Sequence, residues 1–455
     1  MAHIFRWRSY ISCTNLFIMK KLFLPVIAIL LSGTLVKAQP GKTQITRWQY
    51  GRNGAVSITW DDGSINQFKV ALPILNRLQL PATFFIITGQ IPGSQYHGKF
   101  IGRPVKDIIG ETATIPTNKD NFFERASAAG YLGLVGPLDY HYKAGSLIDA
   151  GKTEAAYKAI DECYAKVRSG EFKPGVQHND EYKDAHGTTW AQIKAYAAQG
   201  HEFASHMVTH PRLAALDETN LMYEAEKSRL DVLNHLGLQY TFSAEGPFGT
   251  ENERAVAYLA KVYPALRNRM PEPWLKEISR GNKDTPGNTN KEYVQYQRGA
   301  TTKTPLPMMK AWVDTTMNRK DTWLVLTHHG VDGIGWEALP HQELDEYFTY
   351  IKNHQDKLWV ATFGDVTKYM RERQSAKVQS SLKDNKVTVT INHPLSKVFY
   401  NVPLTLKTYV PTGWKNVSAV QGTKKQSLKV VKDSNGSYVL YQAYPNVSPV
   451  SLSGI

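Results

Sequence analysis

Residues 54–88 read GAVSITWDDGSINQFKVALPILNRLQLPATFFIIT, and this stretch decides the fold. Ala55 to Trp60 is an apolar, β-branched run with the signature of a buried strand, and it stops abruptly at Asp61, Asp62 and Gly63. Phe68, Ala71, Leu72, Leu75 and Leu78 then recur at helical spacing, with Pro73 placed to kink the helix. After Pro81 a second apolar run, Thr83 to Thr88, reads as another strand. The pattern is a β-α-β unit. In parallel α/β sheets and barrels the reacting groups gather where strands run into loops, and two carboxylates stand at that point here. Asp-Asp-Gly is also a common turn, so the pair needs partners from elsewhere in the chain to count as a site.

Those partners lie downstream. Gly89 to about Gly187 reads as a long insertion with one clear amphipathic helix, Lys152 to Val167; its loop histidines, His141, His178 and His186, read as solvated. A short helix, Thr188 to Gln199, closes on Gly200, and the strand His201 to Ala204 runs into Ser205-His206-Met207-Val208-Thr209-His210-Pro211. Two histidines four apart at a strand end can aim both rings at one ion. Beyond the periodic helix Glu218 to Leu236, a strand over Leu238 to Phe242 leads to Glu245-Gly246-Pro247-Phe248-Gly249, a turn able to point backbone N–H groups into a site. The alternation continues through strands at Ala265 to Met270 and Tyr293 to Gln297, separated by a polar loop, and a helix over Pro307 to Met317. It ends with the strand Asp321 to Leu326, which delivers Thr327, His328 and His329, and with the strand Leu358 to Thr362 between two last helices. Repeated strand-helix pairs with polar strand ends predict an α/β fold, a distorted (β/α) barrel with one functional rim. From about Ala376 the texture changes to short alternating runs and turn signals such as Asn435-Gly436, which predicts a small all-β, sandwich-like domain over 376–455.

The first 38 residues read as a secretory signal peptide: Lys20 and Lys21, the apolar run Leu22 to Leu31, then small residues to Ala38, with Met19 a candidate true start. The apolar run is too short for a membrane span, and the expected location is secreted or periplasmic. Loss of that leader removes five basic residues and no acidic one, lowering the formal charge from +14 to +9. A moderate basic excess without a nucleic-acid module is the signature of a lysine-rich surface, so no nucleic-acid partner is expected. Cys163 is the single cysteine outside the leader, which excludes a disulfide framework and a thiolate metal site within the mature chain.

Thr59-Trp-Asp-Asp-Gly63, Ser205-His-Met-Val-Thr-His210, Glu245-Gly-Pro-Phe-Gly249 and Leu326-Thr-His328 occur in that order over roughly residues 50 to 375. The set resembles the polysaccharide deacetylases, the NodB homology domain of carbohydrate esterase family 4. The resemblance implies a catalytic domain over 39–375 that removes acetyl groups from a polysaccharide or oligosaccharide. It also implies Asp61 as catalytic base, Asp62, His206 and His210 as ligands of a divalent metal, and His328 as the general acid. Three N and O ligands suit Zn²⁺, and a metal that polarises a carbonyl, an acid and a base are what acetyl hydrolysis needs. The Phe248 N–H is the oxyanion candidate, and Trp312 and Trp336 are the candidates for a pocket tryptophan. The chain departs from the pattern at Glu245, where the resemblance implies an arginine paired with the catalytic aspartate, and no DxxDW tract precedes His328; Arg267 and Arg269 are candidates to supply the missing charge. Two alternatives stay open on sequence: a catalytically silent glycan-binding protein, and a metallohydrolase of a non-carbohydrate amide.

Overall fold

The structure, a computed structural model, describes residues 38–250, 252–270, 277–279 and 293–455. The expected leader and most of the polar loop before Tyr293 lie outside the described residues.

A wholly parallel sheet organises the larger part of the molecule. Gly54–Trp60 is its centre, with Thr322–His328 on one side and Ala82–Ile86 and the short Leu358–Val360 sharing the other. Glu202–Ser205, Ser243–Ala244 and Ala265–Leu266 continue from Ala82–Ile86, and Val294–Gly299 and Glu277–Ser279 continue from Thr322–His328. The sheet curls into a half-barrel flanked by helices. All seven residues of the central strand are buried, as expected for a strand covered on both faces. On one face Val56, Ile58 and Trp60 pack with Leu324, Leu326 and the helical residues Phe348 and Ile351. Pro73 acts as its chemistry demands: the chain makes a π-helical turn over Gln67–Ala71 before the α-helix Leu72–Arg77. The strand read over Leu238 to Phe242 is instead a 3₁₀ turn, Leu238–Thr241, with the strand delayed to Ser243–Ala244.

The insertion is helical, with Phe122–Ala129, Pro137–Asp149 and Thr153–Ser169 packed around Ile108, Phe122, Ile160 and Tyr164. The C-terminal part is two antiparallel sheets, as its alternating pattern requires. Its boundary differs from the sequence expectation. Thr43–Ile45 pairs with Leu404–Tyr409, so the segment before the parallel sheet completes the β-domain. The two parts also share a core: Trp48, Phe85, Phe242, Trp323 and Phe363 belong to the same buried cluster as Val387, Leu404, Trp414 and Leu452. Among the described residues no helix is long and apolar enough to cross a membrane.

Candidate active site

Asp61 prolongs the central strand by one residue, its N–H donating to the His328 carbonyl at 2.9 Å. The chain then turns sharply at Asp62 (φ 73°) and Gly63 (φ 77°). A left-handed aspartate is uncommon and costs of order 1 kcal/mol or more, strain that tends to persist at functional sites. The turn throws the two neighbouring carboxylates into different company.

Asp62 meets the histidine tract. The Oδ1 of Asp62 lies 3.5 Å from His206 Nε2 and 3.3 Å from His210 Nε2, with all three side chains buried. Met207 (φ 67°) and His210 (φ 60°) also have left-handed backbones, so the loop is wound tightly to bring both rings round. Glu224, from the helix Glu218–Leu236, holds that winding by accepting from Val208 N (2.8 Å), Thr209 N (2.9 Å) and Thr209 Oγ1 (2.7 Å). Gly89 donates to the Val208 carbonyl, and a Cβ at Gly89 would stand 2.5 Å from that oxygen, so only glycine fits. His206 donates Nδ1–H to the Glu245 carbonyl at 2.9 Å, which leaves the Nε2 lone pair facing the Asp62 carboxylate. A lone pair facing a buried carboxylate oxygen at 3.5 Å is repulsive unless a cation lies between them. Asp62, His206 and His210 offer donor atoms within 4.8 Å of one another, and they fit a divalent metal in number and type.

Asp61 meets an arginine. Arg267 takes both its oxygens, Nη1 to Oδ1 at 2.7 Å and Nη2 to Oδ2 at 2.6 Å, and donates to Thr59 Oγ1 at 2.8 Å. Burial pushes the Asp61 carboxyl up, but the charge and hydrogen bonds of Arg267, with the neighbouring His329 and His206, together outweigh it and the group lies below its ordinary value. Behind the guanidinium, Glu245 places Oε2 3.4 Å from Arg267 Nε and accepts from Asn268 through Oε1. The Arg267 carbonyl accepts from Gln295 (2.8 Å) and Gln297 (2.6 Å). Of the two arginines open on sequence, Arg267 supplies the charge; Arg269 pairs instead with exposed Glu253 at 3.1 Å.

The histidine pair requires a correction. His328 is not at the site. Its ring lies in the core against Trp60 (5.0 Å between centroids), Phe348 (5.6 Å) and Tyr347 (6.4 Å), and neither nitrogen has a hydrogen-bond partner. Burial pushes its pKa down to about 3, so it is neutral near pH 7 and does not serve as a general acid. His329 faces the site, with Nε2 3.5 Å from Asp61 Oδ2. The reason is register: His328 is aligned with Trp60 across the ladder and shares its face, whereas Asp61 and His329 are each one residue further on. Gln67 ties these two positions together, its Nε2 donating to the Asp61 carbonyl and to the His329 carbonyl at 2.8 Å.

These groups line a pocket of about 590 Å³ with Phe248, Arg212, Arg298 and Trp336. Phe248, itself left-handed (φ 60°), lays its ring 4.6 Å from His210 and under the Arg212 guanidinium at 3.9 Å. Trp336, half exposed, meets His329 edge-on at 4.6 Å. Trp312 is buried in the core and is not the pocket tryptophan. Among the residues that sequence reasoning missed, Gln67 and Glu224 carry no local signal, and His329 is told from His328 only by the register of the ladder that aligns His328 with Trp60.

The family model described as polysaccharide deacetylase matches residues 49–111 and 164–263. Over those two segments the chain is similar to the polysaccharide deacetylases. The match passes over residues 112–163, inside the insertion. A curated relative, a gellan lyase from Bacillus sp., is 27% identical over 275 residues, which is 57% of this chain but 11% of that protein's length. Among solved structures, the family 4 carbohydrate esterase domain of a multidomain xylanase from the hindgut metagenome of Trinervitermes trinervoides is 12% identical with a TM-score of 0.33, covering 69% of this chain and 90% of its own. A family 4 carbohydrate esterase from Streptomyces lividans, solved with acetate, is 13% identical with a TM-score of 0.32, covering 68% of this chain and 92% of its own. The buried Asp-His-His group of this chain could bind a metal.

Proposed function

We propose that this chain hydrolyses acetyl groups from a polysaccharide or oligosaccharide, as amides or as esters, and that it does so outside the cytoplasm. The observation that carries the reading is the division of labour between two adjacent buried carboxylates: Asp62 faces two histidines, and Asp61 is clamped by Arg267 beside His329.

Asp62, His206 and His210 would hold the metal, most suitably Zn²⁺, whose chemistry there is to polarise a carbonyl and acidify a bound water. Asp61, kept ionised by Arg267, accepts the proton of the attacking water. His329, next to that carboxylate and open to the pocket, delivers a proton to the departing sugar nitrogen or oxygen, a step contributing on the order of 100- to 10,000-fold. The Trp336 ring fixes the plane of His329 and closes one wall over the acetyl group. Phe248, opposite, covers His210 and offers its N–H as the oxyanion donor. The leader-like residues before 38 support export. Acetate release from chitin oligomers, peptidoglycan and acetylated xylan tests the reading, and a metal-loaded chain that frees acetate from none of them refutes it.

A further inference from the structure

A second cavity, of about 320 Å³, opens beside the metal pocket between the insertion and the histidine loop. Tyr131, Leu138 and Tyr142 come to it from residues 112–163, which the family match passes over. Val176, His178 and Tyr182 form the facing wall. His178 stacks on Tyr182 with centroids 4.7 Å apart and planes 18° from parallel, and the Tyr182 hydroxyl is anchored on the Gly89 carbonyl at 3.1 Å. His178 and Val176 are exposed at the rim, so the cavity is open to solvent.

The cavity and the metal pocket share a wall. Asn179 donates to the Tyr142 hydroxyl (2.7 Å) and to the carbonyl of the ligand His210 (3.1 Å), while the Tyr142 ring packs on Phe248 at 5.5 Å. Phe248, which lines the metal pocket, is thus in contact with Tyr142, which lines this cavity.

The lining decides the class of ligand. It contains no Asp, Glu, Lys or Arg, so no permanently charged side chain there would pair with a charged group. It combines flat aromatic faces with hydroxyl, amide and imidazole groups, whereas a purely apolar ligand would strand those polar groups. Flat faces with peripheral polar groups suit a sugar ring, which is apolar on its C–H faces and polar at its edge, and the volume is at the small end of ligand pockets, about 300–1,000 Å³. We infer that this insertion-built cavity binds an uncharged sugar residue of the substrate chain, one or two units from the residue being deacetylated. The inference rests on the deacetylase reading for its choice of substrate but concerns a separate set of residues.

The test uses the full metal-loaded chain and N-acetylglucosamine oligomers and acetylated xylose oligomers of two to six units, with Kd by calorimetry and acetate release measured in parallel. In at least one series the hexamer should bind about tenfold more tightly than the dimer. Val176→Trp, which fills the rim from an exposed position, and His178→Ala, which removes the stacked face, should each bring the hexamer back to within about twofold of the dimer. Should the tryptophan variant fail to fold, the alanine variant reads the same quantity. A length dependence that survives both changes, or none in the unaltered chain, overturns the inference. Length-dependent binding lost in the variants, without acetate release from any oligomer, keeps the cavity assignment and refutes the deacetylase reading.

Discussion

Arg267→Met separates the forces at the centre of the site. The arginine makes two hydrogen bonds of 2.6 and 2.7 Å to a buried carboxylate and has a second, Glu245, 3.4 Å from its Nε. Removing one partner of a buried pair leaves the other uncompensated, at about 3–5 kcal/mol. Here two carboxylates are stranded, so a loss of about 4 kcal/mol at pH 7 is expected. Glu245→Gln leaves both bonds to Asp61 in place and should cost only about 1–2 kcal/mol. The double change should cost less than the sum by more than about 1 kcal/mol, because each single change exposes the other's charge. The sign with pH follows from Asp61, whose carboxyl is depressed in the folded chain. Its pair with Arg267 therefore contributes fully above the ordinary carboxylate value of about 4 and fades as the pH falls through the depressed value. In the methionine variant burial is opposed only by His329 and His206, so that carboxyl rises, and the deficit relative to the unaltered chain should be largest near neutrality and narrow below about pH 4. Urea unfolding of metal-depleted protein from pH 3 to 7 measures this. In activity, the acidic limb of kcat/KM should move to higher pH in Arg267→Met and scarcely move in Glu245→Gln. A deficit independent of pH, or one no larger than that of Arg269→Met, whose surface pair is worth about 0–1 kcal/mol, refutes the reasoning.

Three further expectations concern neighbouring groups. His329→Ala should lower kcat by about 100- to 10,000-fold with little change in stability, whereas His328→Phe, which fills the same space without two unpaired nitrogens, should keep both; acetate release and thermal unfolding decide, and the opposite pattern would restore His328 to the site. Asp61→Asn should retain metal and lose turnover, while Asp62→Asn should lose metal, as read by elemental analysis after dialysis; equal loss in both would show that the carboxylates do not divide the work. A chain ending at Gln374 should fail to unfold cooperatively and should aggregate, because Trp48, Trp323 and Phe363 would lose their neighbours Val387, Leu404 and Leu452; a soluble, active fragment in gel filtration would refute the shared core.

The parallel sheet was legible because its central strands are apolar on both faces and end in Asp, His or Gly, a combination local in sequence. The Asp62, His206 and His210 cluster, which could bind a metal, was legible for the same reason, since each residue follows a strand end. What escaped depends on pairing between distant segments. The identity of the site histidine turns on the alignment of His328 with Trp60 across two strands 268 residues apart, and a ladder register is not written in either strand alone. The role of Glu245 was open because its partner is contributed by the next strand, and Arg267 and Arg269 share a face in an ideal strand; only Arg267 reaches inward, since the regular strand ends at Leu266. The β-domain boundary was misplaced because Thr43–Ile45 has three residues, too few for alternation to show, and its pairing with residues 406–408 is set by tertiary contacts.

The central claim is that the Asp62–His206–His210 group holds a metal on which acetate release depends. Metal content and acetate release should be measured on the same preparation before chelation, after it, and after return of Zn²⁺. About one metal per chain, acetate release lost with that metal and recovered with it, and neither property in His206→Ala/His210→Ala, is the expected result. Undiminished acetate release from the metal-free chain would contradict it.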